Sequence, residues 1–178
     1  MDELTGAASR EKFERTIIAA FEQARSGDVP LSVALFDVDG MDKISEDFGD
    51  DAGDTVLIAM ASRIARAYAG VKPLVCRYGD HTFGVVLPKT DRFTAVRLTE
   101  TARQMITRTP VKLMAGRFGS PPELPISASV GLAAIDSELA DRFGDAAAFT
   151  QVAEKAVLAA KRAGQNTMRV YAPAAKAA

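Results

Sequence analysis

Cysteine, histidine and tryptophan are almost missing from this chain: it has one Cys, one His and no Trp in 178 residues. A single cysteine excludes an internal disulfide and argues against a cysteine-built zinc site. Cys76 lies in an apolar stretch just before Arg77, where a packed core thiol is expected rather than a nucleophile. An excess of one charge is missing too. With 22 Lys plus Arg against 23 Asp plus Glu, the net charge of −1 gives no general attraction to nucleic acid or anionic lipid. No apolar run approaches the ~20 residues that span a bilayer. No apolar core follows the opening "MDELTGAASREKF", as a signal peptide would require. These absences predict a cytoplasmic protein with no nucleic-acid partner and no direct membrane contact. Repeats and low-complexity linkers are lacking as well. One domain over 1–172 is therefore expected, with 173–178 as a disordered tail.

The remaining composition, 48% hydrophobic and 25% charged, suits a domain with a sizeable core. After an initial turn, Phe13, Ile17, Ala20, Phe21 and Ala24 recur at helical spacing behind the candidate cap Ser9. Gly27 and Pro30 end that helix. "LSVALFDVD" (31–39) is apolar up to Asp37, as a strand covered on both faces should be. A short helix around "MDKISEDF" follows, then a longer one over "AGDTVLIAMASRIARAYAG" with Val56, Met60, Ile64 and Ala67 on one stripe. Strands over 74–78 and 82–87 form a hairpin, with "RYGDHTF" at its tip. A helix over 91–109 comes next, then an antiparallel pair from 111–116 and 126–135. A last helix over 145–163 and a strand within "TMRVYAP" complete the order. Hairpins among helices predict an α/β (α+β) fold with a mixed sheet.

Asp37 and Asp39 stand two residues apart at the end of the first strand, so their carboxylates project to the same side. A carboxylate at the mouth of a buried strand is costly without a cation or donors beside it. Mg²⁺ supplies such a partner and accompanies nucleotide phosphates. The structural alternative has Asp39 capping the next helix and Asp37 accepting from backbone amides.

The segments "DELTG", "FDVDGMDKISEDFGDDAGDTVL", "RYGDHTF", "ISASVG" and "AEKAVLAAKRAGQN" together resemble, in order and spacing, the GGDEF domain of the diguanylate cyclase family. The resemblance runs from Asp2 to about Val170. It implies a nucleotidyl-cyclase-like fold, with a central mixed five-stranded sheet surrounded by helices and a small antiparallel hairpin. It also implies a reaction in which two GTP-loaded domains face each other and condense two GTP into cyclic di-GMP. Metal ions there activate the 3′-hydroxyl and neutralise charge on the phosphate.

Carried over residue by residue, the resemblance makes Asp37 a metal ligand, with the Val38 backbone carbonyl beside it. It makes Asp54 the acceptor for the guanine edge and Lys161 the cation for the triphosphate. Other positions depart from the pattern. Ser45 stands where an asparagine shares guanine recognition, and Gln165 where an arginine clamps phosphate. Leu158 stands in place of a tyrosine. The signature Gly-Gly-Asp-Glu-Phe is here Gly79-Asp80-His81-Thr82-Phe83, so a side chain and a negative charge replace the second glycine, and a hydroxyl replaces the metal-chelating glutamate. The Arg-x-x-Asp of the family's product-inhibition site is replaced by Gly70 and Pro73, which have no group to grip the product.

The expected function is that of a catalytically degenerate GGDEF domain, a regulatory or interaction module in cyclic di-GMP-type signalling. GTP binding is expected to be weak or absent, and Mg²⁺ to enter only with GTP. The expected partner is a protein or an attached signalling domain, and the expected state a monomer or weak homodimer. The alternatives are a low-activity diguanylate cyclase in which Asp80 replaces the lost metal ligand and His81 serves as base, and a GTP sensor without turnover that uses Asp37, Asp54 and Lys161.

Overall fold

The structure, a computed structural model, describes residues 1–27, 29–71, 73–114, 121–135 and 142–171. Its centre is β1 (Leu31–Val38), which pairs antiparallel with β3 (Thr82–Pro88) on one side and with β6 (Ala128–Ile135) on the other. The edge strand β2 (Leu74–Arg77) pairs antiparallel with β3, and β7 (Met168–Val170) runs parallel to β6. The sheet order is β2-β3-β1-β6-β7, which bears out the mixed sheet read from the hairpins and the five strands that the resemblance implies. α1 (Arg10–Gly27) and α5 (Ala146–Arg162) cover one face. α2 (Met41–Phe48), α3 (Asp50–Ala67) and α4 (Arg92–Arg108) cover the other.

One strand pairing differs from the expectation. Val111–Lys112 (β4) pairs with Glu123–Leu124 (β5) in a separate two-stranded sheet, and 128–135 does not join them. All eight residues of β6 are buried, so it needs cover on both faces, and the centre of the sheet supplies that. A hairpin beside β4 would have left one face in water. The described residues end at Tyr171, so the expected tail over 173–178 lies outside them.

Side-chain alternation along the strands sets the site. On β1, Ala34, Phe36 and Val38 pack toward α3 and α4, while Leu31, Val33 and Leu35 pack toward α1 and α5. Asp37 therefore shares the α5 side, at the point where the strand leaves its cover. On β3, Phe83, Val85 and Leu87 take the α3/α4 side and Val86 the other, so Thr82 also faces α5. Cys76 is fully buried among the α1-side residues, and burial pushes its thiol up to about 12. That makes it a packed thiol, as the sequence suggests.

α5 lies directly against β6 because Gly131 has no side chain. A Cβ there would stand 2.1 Å from the Ala153 carbonyl oxygen and 2.6 Å from the Val157 nitrogen, both backbone atoms that cannot rotate aside. This contact fixes how far α5, and the Lys161 it carries, stands from β1.

The exit of β1 is held by Asp39, which is buried and accepts three hydrogen bonds. They come from the hydroxyls of Ser127 (2.7 Å) and Ser129 (2.6 Å) and from the Asn166 backbone N–H (2.9 Å). Asp39 does not cap α2: Gly40, in a left-handed conformation (φ 67°), fills that position with no side-chain bond. Asn166 follows Gln165 in a turn where both residues have positive φ (44° and 64°). Arg103 secures the turn from α4, donating to the Asn166 carbonyl and side-chain oxygens at 2.9 and 2.6 Å. One carboxylate thus ties β1, β6 and the α5–β7 turn together.

Two stability outcomes follow. Gly131→Ala should destabilise the fold by about 3 kcal/mol, the upper end of ordinary overpacking, because the obstructing atoms are backbone; an unchanged urea midpoint would contradict the close approach. Asp39→Ala should cost about 2–4 kcal/mol by leaving three donors unpaired, and Asp39→Asn distinctly less. Urea unfolding of the two variants should rank them in that order.

Candidate functional site

The candidate site begins at the register pair Asp37↔Thr82, where the ends of β1 and β3 lie side by side. The Thr82 hydroxyl donates to Asp37 Oδ2 at 2.8 Å. Lys161, in the last turn of α5, brings its ammonium to 2.5 Å from Oδ1. That contact is an ion pair without hydrogen-bond geometry, and Oδ1 is buried with no hydrogen-bond donor. Both oxygens of Asp37 are therefore engaged within the protein. The residue expected to meet the triphosphate is turned onto the one expected to hold metal.

The pair is modest in energy. The Lys161 side chain is 38% exposed, and solvent-screened pairs contribute about 0.2–1 kcal/mol. An incoming ligand could displace Lys161 at that cost, so the ion pair alone does not close the site. The polar side chains that line the cleft with Asp37 are Thr82, Tyr78 and Glu154, and the Glu154 carboxylate already accepts from the Tyr78 hydroxyl. Among the described residues, no three His, Cys, Asp or Glu side chains come together to hold a metal ion.

The hairpin tip is tightly organised. The Tyr78 and Gly79 N–H groups both donate to the Thr82 carbonyl, at 2.8 and 3.0 Å. Arg77 donates to the carbonyls of Gly79 and Asp80, and the His81 carbonyl accepts from Val38 N–H at 3.1 Å. The Asp80 side chain is exposed. His81 is half-buried rather than fully in water.

The other expected binding residues stand apart from this cluster. Ser45 is half-buried on α2, and its hydroxyl lies 3.1 Å from where a Cβ on Gly53 would be, so α2 and α3 are in close contact there. Asp54 is exposed on α3. Gln165 is exposed and lines a different cleft, with Asp39, Gly40 and Asn166. The cleft containing Asp37 and Thr82 is only about 210 Å³, below the ~300–1,000 Å³ usual for ligand sites. Leu158 forms one wall of it and is 54% exposed. Gly70 is exposed beyond the end of α3, and Pro73 is half-buried before β2.

Two contacts here have no counterpart in the sequence reading. Tyr78 donates its hydroxyl to Glu154 at 2.6 Å, joining the hairpin to α5. Glu154, Leu158 and Lys161 share one face of the helix at i, i+4 and i+7, which is the signal that could have suggested a common target. The Asp39 cage is the other, and the Ser-x-Ser alternation at the start of β6 points to it.

Residues 1–167 match the family described as the diguanylate cyclase, GGDEF domain. The response regulator PleD of Caulobacter vibrioides is 32% identical over 168 residues, which cover 94% of this chain and 35% of PleD. The chain thus spans about a third of the length of that relative. The GGDEF domain of YfiN, also called TpbB, from Pseudomonas aeruginosa is 28% identical with a TM-score of 0.83; the match covers 95% of this chain and 99% of that one. The diguanylate cyclase SiaD of Pseudomonas aeruginosa, solved in complex with its activator SiaC, is 26% identical with a TM-score of 0.83, covering 96% and 61%. The nearly full-length family match, on a sheet that superposes on solved GGDEF domains, shows that this chain belongs to the GGDEF family of diguanylate cyclase domains.

Proposed function

We propose that this GGDEF domain no longer condenses GTP and serves as a regulatory or interaction module in cyclic di-GMP signalling, with GTP binding weak or absent. The observation that carries this reading is Thr82. Its hydroxyl stands directly opposite Asp37 and donates to it, where the family pattern has a chelating acid. Condensation requires a hydroxyl to lose its proton beside a triphosphate, and enzymes support such steps with fixed positive charge and metal ions. Here Asp37 shares its cleft with a single other acid, Glu154, whose carboxylate already accepts from the Tyr78 hydroxyl, and Asp80 adds an anion at the tip. Mg²⁺ bound with GTP would supply charge neutralisation, and Asp37 with the Val38 carbonyl would be its protein ligands. That set lacks the second acid.

Substrate hold is reduced as well. Gln165 offers no charge, and Ser45 offers one hydroxyl where an amide would give both donor and acceptor. At ~1–3 kcal/mol per lost contact, the three losses at Thr82, Ser45 and Gln165 total about 3–9 kcal/mol. That moves a micromolar site to the sub-millimolar range at the low end and beyond millimolar above about 4 kcal/mol. Gly70 and Pro73 give the product no guanidinium or carboxylate, so product binding at that surface is absent in this reading. A second reading, GTP binding without turnover, draws support from Asp54, which remains exposed on α3.

The direct test incubates the purified chain with GTP and Mg²⁺ or Mn²⁺ and separates products by chromatography. No cyclic di-GMP is expected, and clear formation of it would overturn the reading. Calorimetry with GTP and Mg²⁺ should show no saturable heat below about 1 mM; a micromolar isotherm would favour the GTP-sensor reading instead. Restoring the tip as Asp80→Gly with Thr82→Glu should raise affinity for GTP with Mn²⁺ by about tenfold or more, since one ligand returns and one repulsive anion leaves. An unchanged affinity would mean that the tip is not what limits the site.

A further inference from the structure

Between α1 and α5 lies a cavity of about 380 Å³, within the ~300–1,000 Å³ range of small-ligand sites. Its apolar lining is chiefly Ile18, 56% exposed, above Phe13 and Ile17 of α1, which are almost wholly buried. Its polar groups are unusually arranged. Arg10 pairs with Glu14 at 3.1 Å and lies over the Tyr78 ring at 4.8 Å. Glu154, on the opposite wall, has the neutral Tyr78 hydroxyl as its hydrogen-bond partner. Burial, together with that bond, raises the phenol's pKa, so it stays protonated. Two carboxylates therefore line the cleft with one guanidinium, which is paired with Glu14 and also drawn by Glu154, leaving one net negative charge among the three.

We infer that this cavity binds an amphipathic organic cation, a primary ammonium or guanidinium on an aryl or alkyl body. The charge would meet Glu154 and Glu14, and the body would lie along Ile18, over the buried floor of Phe13 and Ile17. A cation supplies the charge that this cleft lacks, and charge-assisted hydrogen bonds to carboxylates are the stronger kind. The site also touches the hairpin. Tyr78 immediately precedes Gly79, and its N–H bonds to the Thr82 carbonyl. A ligand that draws the Glu154 carboxylate off the Tyr78 hydroxyl removes the hydrogen bond joining the hairpin to α5. The cavity is thus a regulatory site whose occupant acts on the signature turn, whether or not that turn handles GTP.

The test is a two-dimensional NMR titration of the full chain with 4-phenylbutylammonium and with its neutral isostere 4-phenylbutanol. The ammonium should bind saturably at or below ~5 mM, at least about tenfold more tightly than the alcohol. It should move the amides of α1 and α5 and, through Tyr78, the signals of Gly79 and of the only imidazole, His81. Glu154→Gln should weaken the ammonium at least about tenfold while retaining an acceptor for Tyr78, and Glu14→Gln provides an independent variant should that one fold poorly. Equal binding of the alcohol, no saturation by ~10 mM, or unchanged affinity in both variants would overturn the site. Saturable binding that leaves Gly79 and His81 unmoved would overturn the coupling to the hairpin. None of these outcomes depends on whether GTP is turned over.

Discussion

The end of β1 is where this structure is most constrained. A strand buried on both faces must present its last side chains to whatever lies beyond the cover, and alternation allows Asp37 only the α5 side. Pairing with β3 then puts Thr82 opposite it, and the close approach of α5 at Gly131 sets where Lys161 stands. No loop geometry is needed to bring the three together. The register of two strands and one missing Cβ suffice. The composition of this cluster is therefore a matter of side-chain identity, on a scaffold that matches solved GGDEF domains closely.

The two aspartates of "DVD" illustrate how one short motif divides its labour. Asp39, two residues on and on the same side, is enclosed by two hydroxyls and a backbone amide, and ties together elements distant in sequence. Asp37 is left at the edge of the cleft with a lysine and a threonine. A charge with three good donors stabilises a fold. A charge facing a partly exposed lysine contributes little to stability and is available for a ligand. In the proposed reading the architecture for nucleotide chemistry persists, while the charge needed to run it has been reduced at the tip. Retaining the scaffold without the ligands fits a domain that signals through its surface.

Much of this was legible in the sequence because it rests on local pattern. The apolar run into Asp37, the turn at Gly79 and the stripe on α3 each follow from spacing, and five segments in register identify the family. The strand pairing around 111–135 was not legible, because neighbouring β-prone segments read as a hairpin and only the burial of all of β6 shows that it belongs at the centre. Contacts between distant elements were likewise hidden. Nothing local to "AAKRAGQN" says that Lys161 meets Asp37, or that Asn166 offers its amide to Asp39. The backbone bond from Val38 N–H to the His81 carbonyl, between the end of β1 and the hairpin tip, was equally hidden.

In the proposed reading Asp37 is answered by Lys161 and Thr82, and its one acidic neighbour in the cleft, Glu154, is held by Tyr78, so no reactive cation–triphosphate centre assembles. Anomalous diffraction from crystals soaked with Mn²⁺ and a non-hydrolysable GTP analogue tests it most directly. The account predicts no ordered pair of manganese peaks at the end of β1, with the Lys161 ammonium still against the Asp37 carboxylate. Two strong peaks bridged by the side chains of Asp37 and Asp80 would contradict it.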